Sequence, residues 1–119
     1  MQGSIEDLIQ QLGSNDAMVQ QKAAKGLTDF AYESNDNNNN DVKIADAGAI
    51  PPLVALLGPR SSSDLHEQVA WALRYLSANN DNKVKIRSAG GVDALTRLMQ
   101  STNNDTVKWR AKDALGRIK

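Results

Sequence analysis

The sequence contains no cysteine, a single histidine, three prolines and few aromatic residues, namely two Trp, two Tyr and one Phe among 119 positions. Without cysteine there are no disulfides, no thiolate metal ligands and no cysteine nucleophile. One histidine, His66, does not assemble a metal-ligand set, and no metal or cofactor is expected. Charge of one sign is also missing, since 14 basic residues balance 14 acidic ones. That neutrality argues against a nucleic-acid or membrane-surface binder, both of which carry a strong basic footprint. The most apolar stretch, from Ala45 to Gly58, contains Asp46 and a Pro-Pro pair. It falls well short of the roughly 20 residues a membrane span needs. The amino terminus has neither a basic region nor an apolar run and does not read as a signal peptide. An intracellular setting, cytoplasmic or nuclear, is expected. No segment alternates strictly between apolar and polar residues, so no half-buried strand is expected.

What is present points to one globular domain. Hydrophobic residues make up 40% and charged residues 24% of the chain, both within the ordinary range. A chain of this length buries about two-thirds of its unfolded surface, enough for a core without staples.

The dominant feature is internal repetition, which at periods of tens of residues decides the fold. Val42-Lys43-Ile44-Ala45-Asp46-Ala47-Gly48-Ala49-Ile50 returns 42 positions later as Val84-Lys85-Ile86-Arg87-Ser88-Ala89-Gly90-Gly91-Val92. At the same offset Leu53, Leu56 and Leu57 map onto Leu95, Leu98 and Met99, and Ala72-Leu73 maps onto Ala114-Leu115. An earlier copy carries Ile5, Leu8, Leu12 and Gly26-Leu27 at offsets of 45 to 46. The surplus lies in the polar tract from Asn35 to Asp41, which has nothing to bury and reads as a lengthened, mobile loop.

Within each copy the apolar spacing is helical. Ile50, Leu53, Leu56 and Leu57 form one stripe, with Pro51 and Pro52 in the first turn, where a missing donor costs little. After a polar break, with Asp64 as the expected N-cap, Leu65, Val69, Ala72, Leu73 and Leu76 share the face of a longer helix. The third copy repeats this pattern, with Asn104 or Asp105 as cap before Val107, Ala111, Ala114, Leu115 and Ile118. A short leading helix from Asn82 to Ser88 ends at Ala89-Gly90.

Ala-Gly-Ala-Ile-Pro-Pro-Leu-Val-Ala-Leu-Leu at 47–57 and Glu-Gln-Val-Ala-Trp-Ala-Leu-Arg-Tyr-Leu-Ser at 67–77 resemble the armadillo repeat. The resemblance implies an all-α, right-handed α-solenoid of about three armadillo repeats, close to the minimum at which neighbours cover one another. The expected organisation is a single domain over 1–119. Repeat one spans 3–46, with the Asn-rich loop at 34–41 and the next leading helix at 41–46. Repeat two spans 47–88 and repeat three 89–119.

The resemblance further implies that the third helices line a concave groove for extended peptides, as in importin-α and β-catenin. Peptide-binding members place a Trp on this helix, followed four residues later by an Asn that clamps the ligand backbone. In this sequence the Trp position holds Lys25, Trp71 and Asp113, and the Asn position holds Asp29, Tyr75 and Arg117. The asparagine ladder is absent. One turn earlier stand Gln21 and Lys22, Glu67 and Gln68, and Trp109 and Arg110. Trp71, Tyr75 and Trp109 are expected to form an aromatic platform. Lys22, Lys25, Arg74, Arg110 and Arg117 outnumber Asp29, Glu67 and Asp113, favouring an acidic or mixed-charge protein or peptide partner.

No chemistry is expected. His66, beside Asp64 and Glu67, reads as an exposed histidine at a helix start. Ala89-Gly90-Gly91 reads as an inter-helix turn, because no Lys-Ser/Thr follows to complete a phosphate loop. The Asn104-Asp105-Thr106 triplet reads as a helix cap. The sequence therefore predicts a protein or peptide interaction module. Two alternatives stay open: a structural solenoid with weak self-association through its ends, or a minimal or engineered scaffold excerpted from a larger adaptor.

Overall fold

A computed structural model describes residues 4–35 and 37–119. Residue 3, the expected start of repeat one, and Asp36 of the Asn-rich loop lie outside the described residues. The described residues form eight α-helices and no strand: α1 (Ile5–Gln11), α2 (Ala17–Tyr32), α3 (Asn40–Asp46), α4 (Ile50–Ala55), α5 (Ser63–Leu76), α6 (Asn80–Ser88), α7 (Gly91–Ser101) and α8 (Asp105–Ile118). They group as two, three and three, the first group having no leading helix among the described residues.

Local chemistry accounts for the boundaries. Ser4, Asp16, Ser62, Asn79 and Asn104 each accept a hydrogen bond from a backbone N–H of the first turn, satisfying a donor with no intrahelical partner. Of the two expected caps of α8, Asn104 and Asp105, the structure uses Asn104. For α5 the cap is Ser62, whose Oγ accepts from Leu65 N at 3.1 Å, and not Asp64, which lies inside the first turn. The leading helix of the third group starts at Asn80, two residues before the expected Asn82, because Asn79 caps it. Gly48 and Gly90, the glycines of the repeated Ala-Gly pair, have φ of 95° and 84°, a left-handed conformation that L side chains resist.

The long helices α2, α5 and α8 lie side by side, with α1, α4 and α7 packed against them. Every residue predicted for the inner face of α5 (Leu65, Val69, Ala72, Leu73, Leu76) and of α8 (Val107, Ala111, Ala114, Leu115, Ile118) is buried. At the position of Ala72 and Ala114 the first repeat has Gly26. A Cβ there would meet Leu8 Cδ1 at 3.0 Å, so the missing methyl admits Leu8. In the first group, Leu8 is buried, and Ile5 and Ile9 are half-buried.

The described residues of the Asn-rich loop make defined hydrogen bonds, and the expectation for His66 needs correction. Asn35 Oδ1 accepts from Asn37 N and Asn38 N, Asn38 Nδ2 donates to Glu33 O, and Asn40 Nδ2 donates to Phe30 O at 3.1 Å. Short amide side chains mimic backbone partners, so a tract with nothing to bury still has defined bonds to make. His66, expected to be exposed, is buried, with Nε2 2.7 Å from Gly58 O. The α4–α5 connection folds back over the start of α5 and covers the ring.

Candidate functional site

On a helix, residues three and four apart share a face, so each long helix presents a stripe beside the one it buries. On α2 that stripe is Lys25, Thr28, Asp29 and Tyr32; on α5 it is Glu67, Gln68, Trp71, Arg74 and Tyr75; on α8 it is Trp109, Arg110, Asp113 and Arg117. Parallel alignment of the three helices turns these stripes into one surface with two junctions.

At the junction of α2 and α5 there is a cavity of about 470 Å³, lined by Lys25, Thr28, Asp29, Tyr32, Gln68, Trp71 and Tyr75. Trp71 and Tyr75 are stacked, with ring centroids 6.2 Å apart and planes at 27°. Tyr32 meets Tyr75 edge-on at 5.4 Å, the arrangement aromatic quadrupoles prefer. Its floor is tied by Thr28, whose hydroxyl donates to Ala24 O at 2.8 Å and lies 3.4 Å from Gln68 O. Lys25 Nζ donates to Asp29 Oδ2 at 3.3 Å along the rim.

The junction of α5 and α8 is filled by charge. The Arg110 guanidinium lies over the Trp71 ring, 3.8 Å from its centroid, and 5.1 Å from that of Trp109. Glu67 Oε1 is 3.9 Å from Arg110 Nε. One turn on, Arg74 Nε donates to Asp113 Oδ2, while Arg117 Nε lies 3.8 Å from the other oxygen of Asp113. The Arg74 guanidinium also lies 5.0 Å from the Tyr75 centroid. Both crossing pairs are about three-quarters shielded from water, so solvent screens them less than open surface pairs.

Of the thirteen residues singled out in the sequence, five share the α2/α5 cavity: Lys25, Asp29, Gln68, Trp71 and Tyr75. Glu67, Trp109 and Arg110 surround the other side of Trp71, and Arg74, Asp113 and Arg117 form the ionic cluster beyond it. Gln21 and Lys22 lie one turn earlier on α2, half-buried and exposed respectively, outside the cavity lining. The aromatic platform differs from expectation. Trp109, which is 58% exposed, stands on the far side of Arg110, and the third aromatic partner is Tyr32. Thr28 and Tyr32 lie outside the positions that the resemblance marks, Tyr32 one turn beyond Asp29. The signal was present, since 25, 28, 29 and 32 follow i, i+3, i+4, i+7.

Elsewhere, His66 and Pro59 border crevices between the α4–α5 and α7–α8 connections, the more apolar being about 430 Å³. Among the described residues, no three His, Cys, Asp or Glu side chains group in a way that could hold a metal ion. Among the same residues, no helix is long and apolar enough to cross a membrane.

Residues 37–78, from the Asn-rich turn to just past α5, match the family model described as the armadillo/beta-catenin-like repeat. No curated protein matches the chain. Among solved structures, the chain is similar to a crystallised engineered protein, with a TM-score of 0.87 and 30% identity over 97% of this chain and 46% of that one. A designed armadillo repeat protein superposes with a TM-score of 0.85 at 28% identity, covering 97% of this chain and 47% of that one. Another, in complex with the peptide (KR)4, gives 0.86 at 28% identity and covers 97% of this chain and 46% of that one. The chain thus spans less than half the length of each of these proteins.

Proposed function

We propose that this chain, a member of the armadillo-repeat family, is a module that binds an extended protein or peptide segment on the face formed by α2, α5 and α8. The observation that carries the proposal is the open cavity between α2 and α5, walled by Tyr32, Trp71 and Tyr75. Aromatic rings with one face against the protein and one edge toward water offer large contact area with little side-chain entropy to lose, which makes them common binding anchors. The face is held in shape by inter-helix packing, so little ordering would be needed on binding. A designed relative that carries a peptide supports the same use of the scaffold.

Charge favours an acidic or mixed ligand. Lys25 with Asp29, Arg74 with Asp113 and Arg110 with Glu67 form three pairs, beyond which Lys22 and Arg117 add two positive charges. Binding should therefore weaken as salt rises. The module carries out no chemistry of its own in this reading. Self-association through the ends is opposed at the α8 end. Lys108 and Lys112 there occupy the places where α5 buries His66 and Ala70, and stacking would strip water from two ammonium groups.

The test is a titration of mixed-charge and acidic peptides followed by isothermal calorimetry, on the parent and on W71A/Y75A/W109A and Y32A. Truncating an anchor of this kind costs about 2 kcal/mol or more, roughly thirtyfold in affinity. Unchanged binding in the triple variant, with its helical circular dichroism intact, would overturn the proposal.

A further inference from the structure

Given the peptide-binding face proposed above, we infer that Arg110 is a built-in occupant of the cation-accepting face of Trp71, and that it makes this junction reject basic ligands. A guanidinium 3.8 Å from an indole centroid is well inside the distance at which ring quadrupole and cation attract. Tyr75 stacks beside the same indole, with centroids 6.2 Å apart, so the ring face toward α8 is the one that Arg110 withholds from a ligand cation.

Hydrogen bonding does not explain where Arg110 sits. Its Nε is buried without a hydrogen-bond partner, and Glu67 Oε1, at 3.9 Å, is beyond hydrogen-bond reach. A buried donor left unmade is a cost, and stacking between Trp71 and Trp109 is the contact that offsets it. The equivalent positions are Gln68 in α5 and Lys22 in α2, so the arginine is a feature of the third repeat and not of the repeat pattern.

Removing the guanidinium would leave a gap bounded by two indoles with the Glu67 carboxylate beside it. Two π-faces and an anion are what a lysine or arginine side chain binds. The native chain therefore holds a cation site that its own side chain fills, and an incoming basic residue must first displace it. The α2/α5 cavity stays open to the partner, so the plug restricts ligand charge at one junction without closing the groove.

The experiment titrates an alternating lysine-arginine octapeptide and a panel of mixed-charge peptides into the parent, R110A, R110Q and R117A, with the two indole N–H signals as readout. R110Q places at 110 the residue that α5 already accommodates at 68, and it serves if R110A loses helical structure. R117A removes the same charge from a side chain that is 57% exposed and away from Trp71. The expected result is a gain of about tenfold or more for the basic peptide in the Arg110 variants, centred on the Trp71 signal. R117A should show only the few-fold gain of a lost exposed charge. Equal gains in R110A and R117A, or no gain in either Arg110 variant, would overturn the inference. If panel peptides still bind the parent in that case, the binding-module reading survives; if no peptide binds any variant, both fail.

Discussion

Asn82, buried near the start of α6, donates its side-chain amide to the carbonyls of Leu76 and Asp41 at 3.0 and 3.1 Å. One residue thereby joins the end of α5, the first turn of α3 and the leading helix of the third group. Replacing Asn82 with Ala leaves two shielded carbonyls without these partners, and the expected loss is about 2 kcal/mol. Urea denaturation measures it, with the exposed neighbour variant N80A expected within about 0.5 kcal/mol of the parent. Equal stability of the two variants would mean that water replaces the amide without penalty.

Gly91 is required by close approach. A Cβ there would stand 2.4 Å from Ile86 Cγ2 and 2.9 Å from Ile86 O, although the equivalent residue of the second repeat is Ala49. The difference lies in how tightly α6 closes onto α7. G91A should lower stability by about 1–3 kcal/mol, read as a fall in melting temperature. A melting temperature equal to that of the parent would show that the α6–α7 turn yields to admit a methyl.

The cap of α5 gives a direct contrast between neighbours. S62A removes the acceptor that Leu65 N uses and should cost about 1 kcal/mol. D64A, within the first turn, loses only a favourable charge near the helix N-terminus, about 0.5 kcal/mol. Thermal melts of the two variants decide the assignment, and a larger loss for D64A would reverse it.

The lysines on the outer side of α8 lead to a prediction about assembly. K108A/K112A places small apolar side chains at the positions where α5 buries His66 and Ala70, so the end becomes able to stack. Light scattering over a wide range of loading concentrations should show a mass that climbs in the double variant at concentrations where the parent's does not. A mass curve matching the parent's would assign resistance to stacking to shape and not to charge.

Much of the architecture was legible before any coordinates. The repeat at an offset of 42 is reproduced by the structure, in which α8 begins 42 residues after α5, and the predicted inner faces of both helices are buried. These features depend on spacing along one helix, which local backbone geometry sets. The misassigned cap at Asp64 belongs to the same local level. Serine and aspartate cap equally well, and only the backbone dihedral at Ser62 separates them.

The composition of the site was legible in part. Trp71 and Tyr75 share a face because they are four residues apart on one helix, and the sequence alone determines that. Packing decided that Tyr32 completes the aromatic cluster while Trp109 does not, and that Arg110 lies over Trp71. Contacts across helices depend on how far one helix slides and rotates against the next. That register comes from many small contacts such as Leu8 against Gly26 and Thr28 beside Gln68, spread over the whole interface. The burial of His66 has the same origin, since nothing near it in sequence foretells that Gly58 returns to accept its hydrogen bond. The sequence by itself determined the helices, their repeat and their inner faces, because those follow from periodicity. Which outer side chains meet was decided by the tertiary structure, because side chains far apart in the chain touch only once the helices have docked.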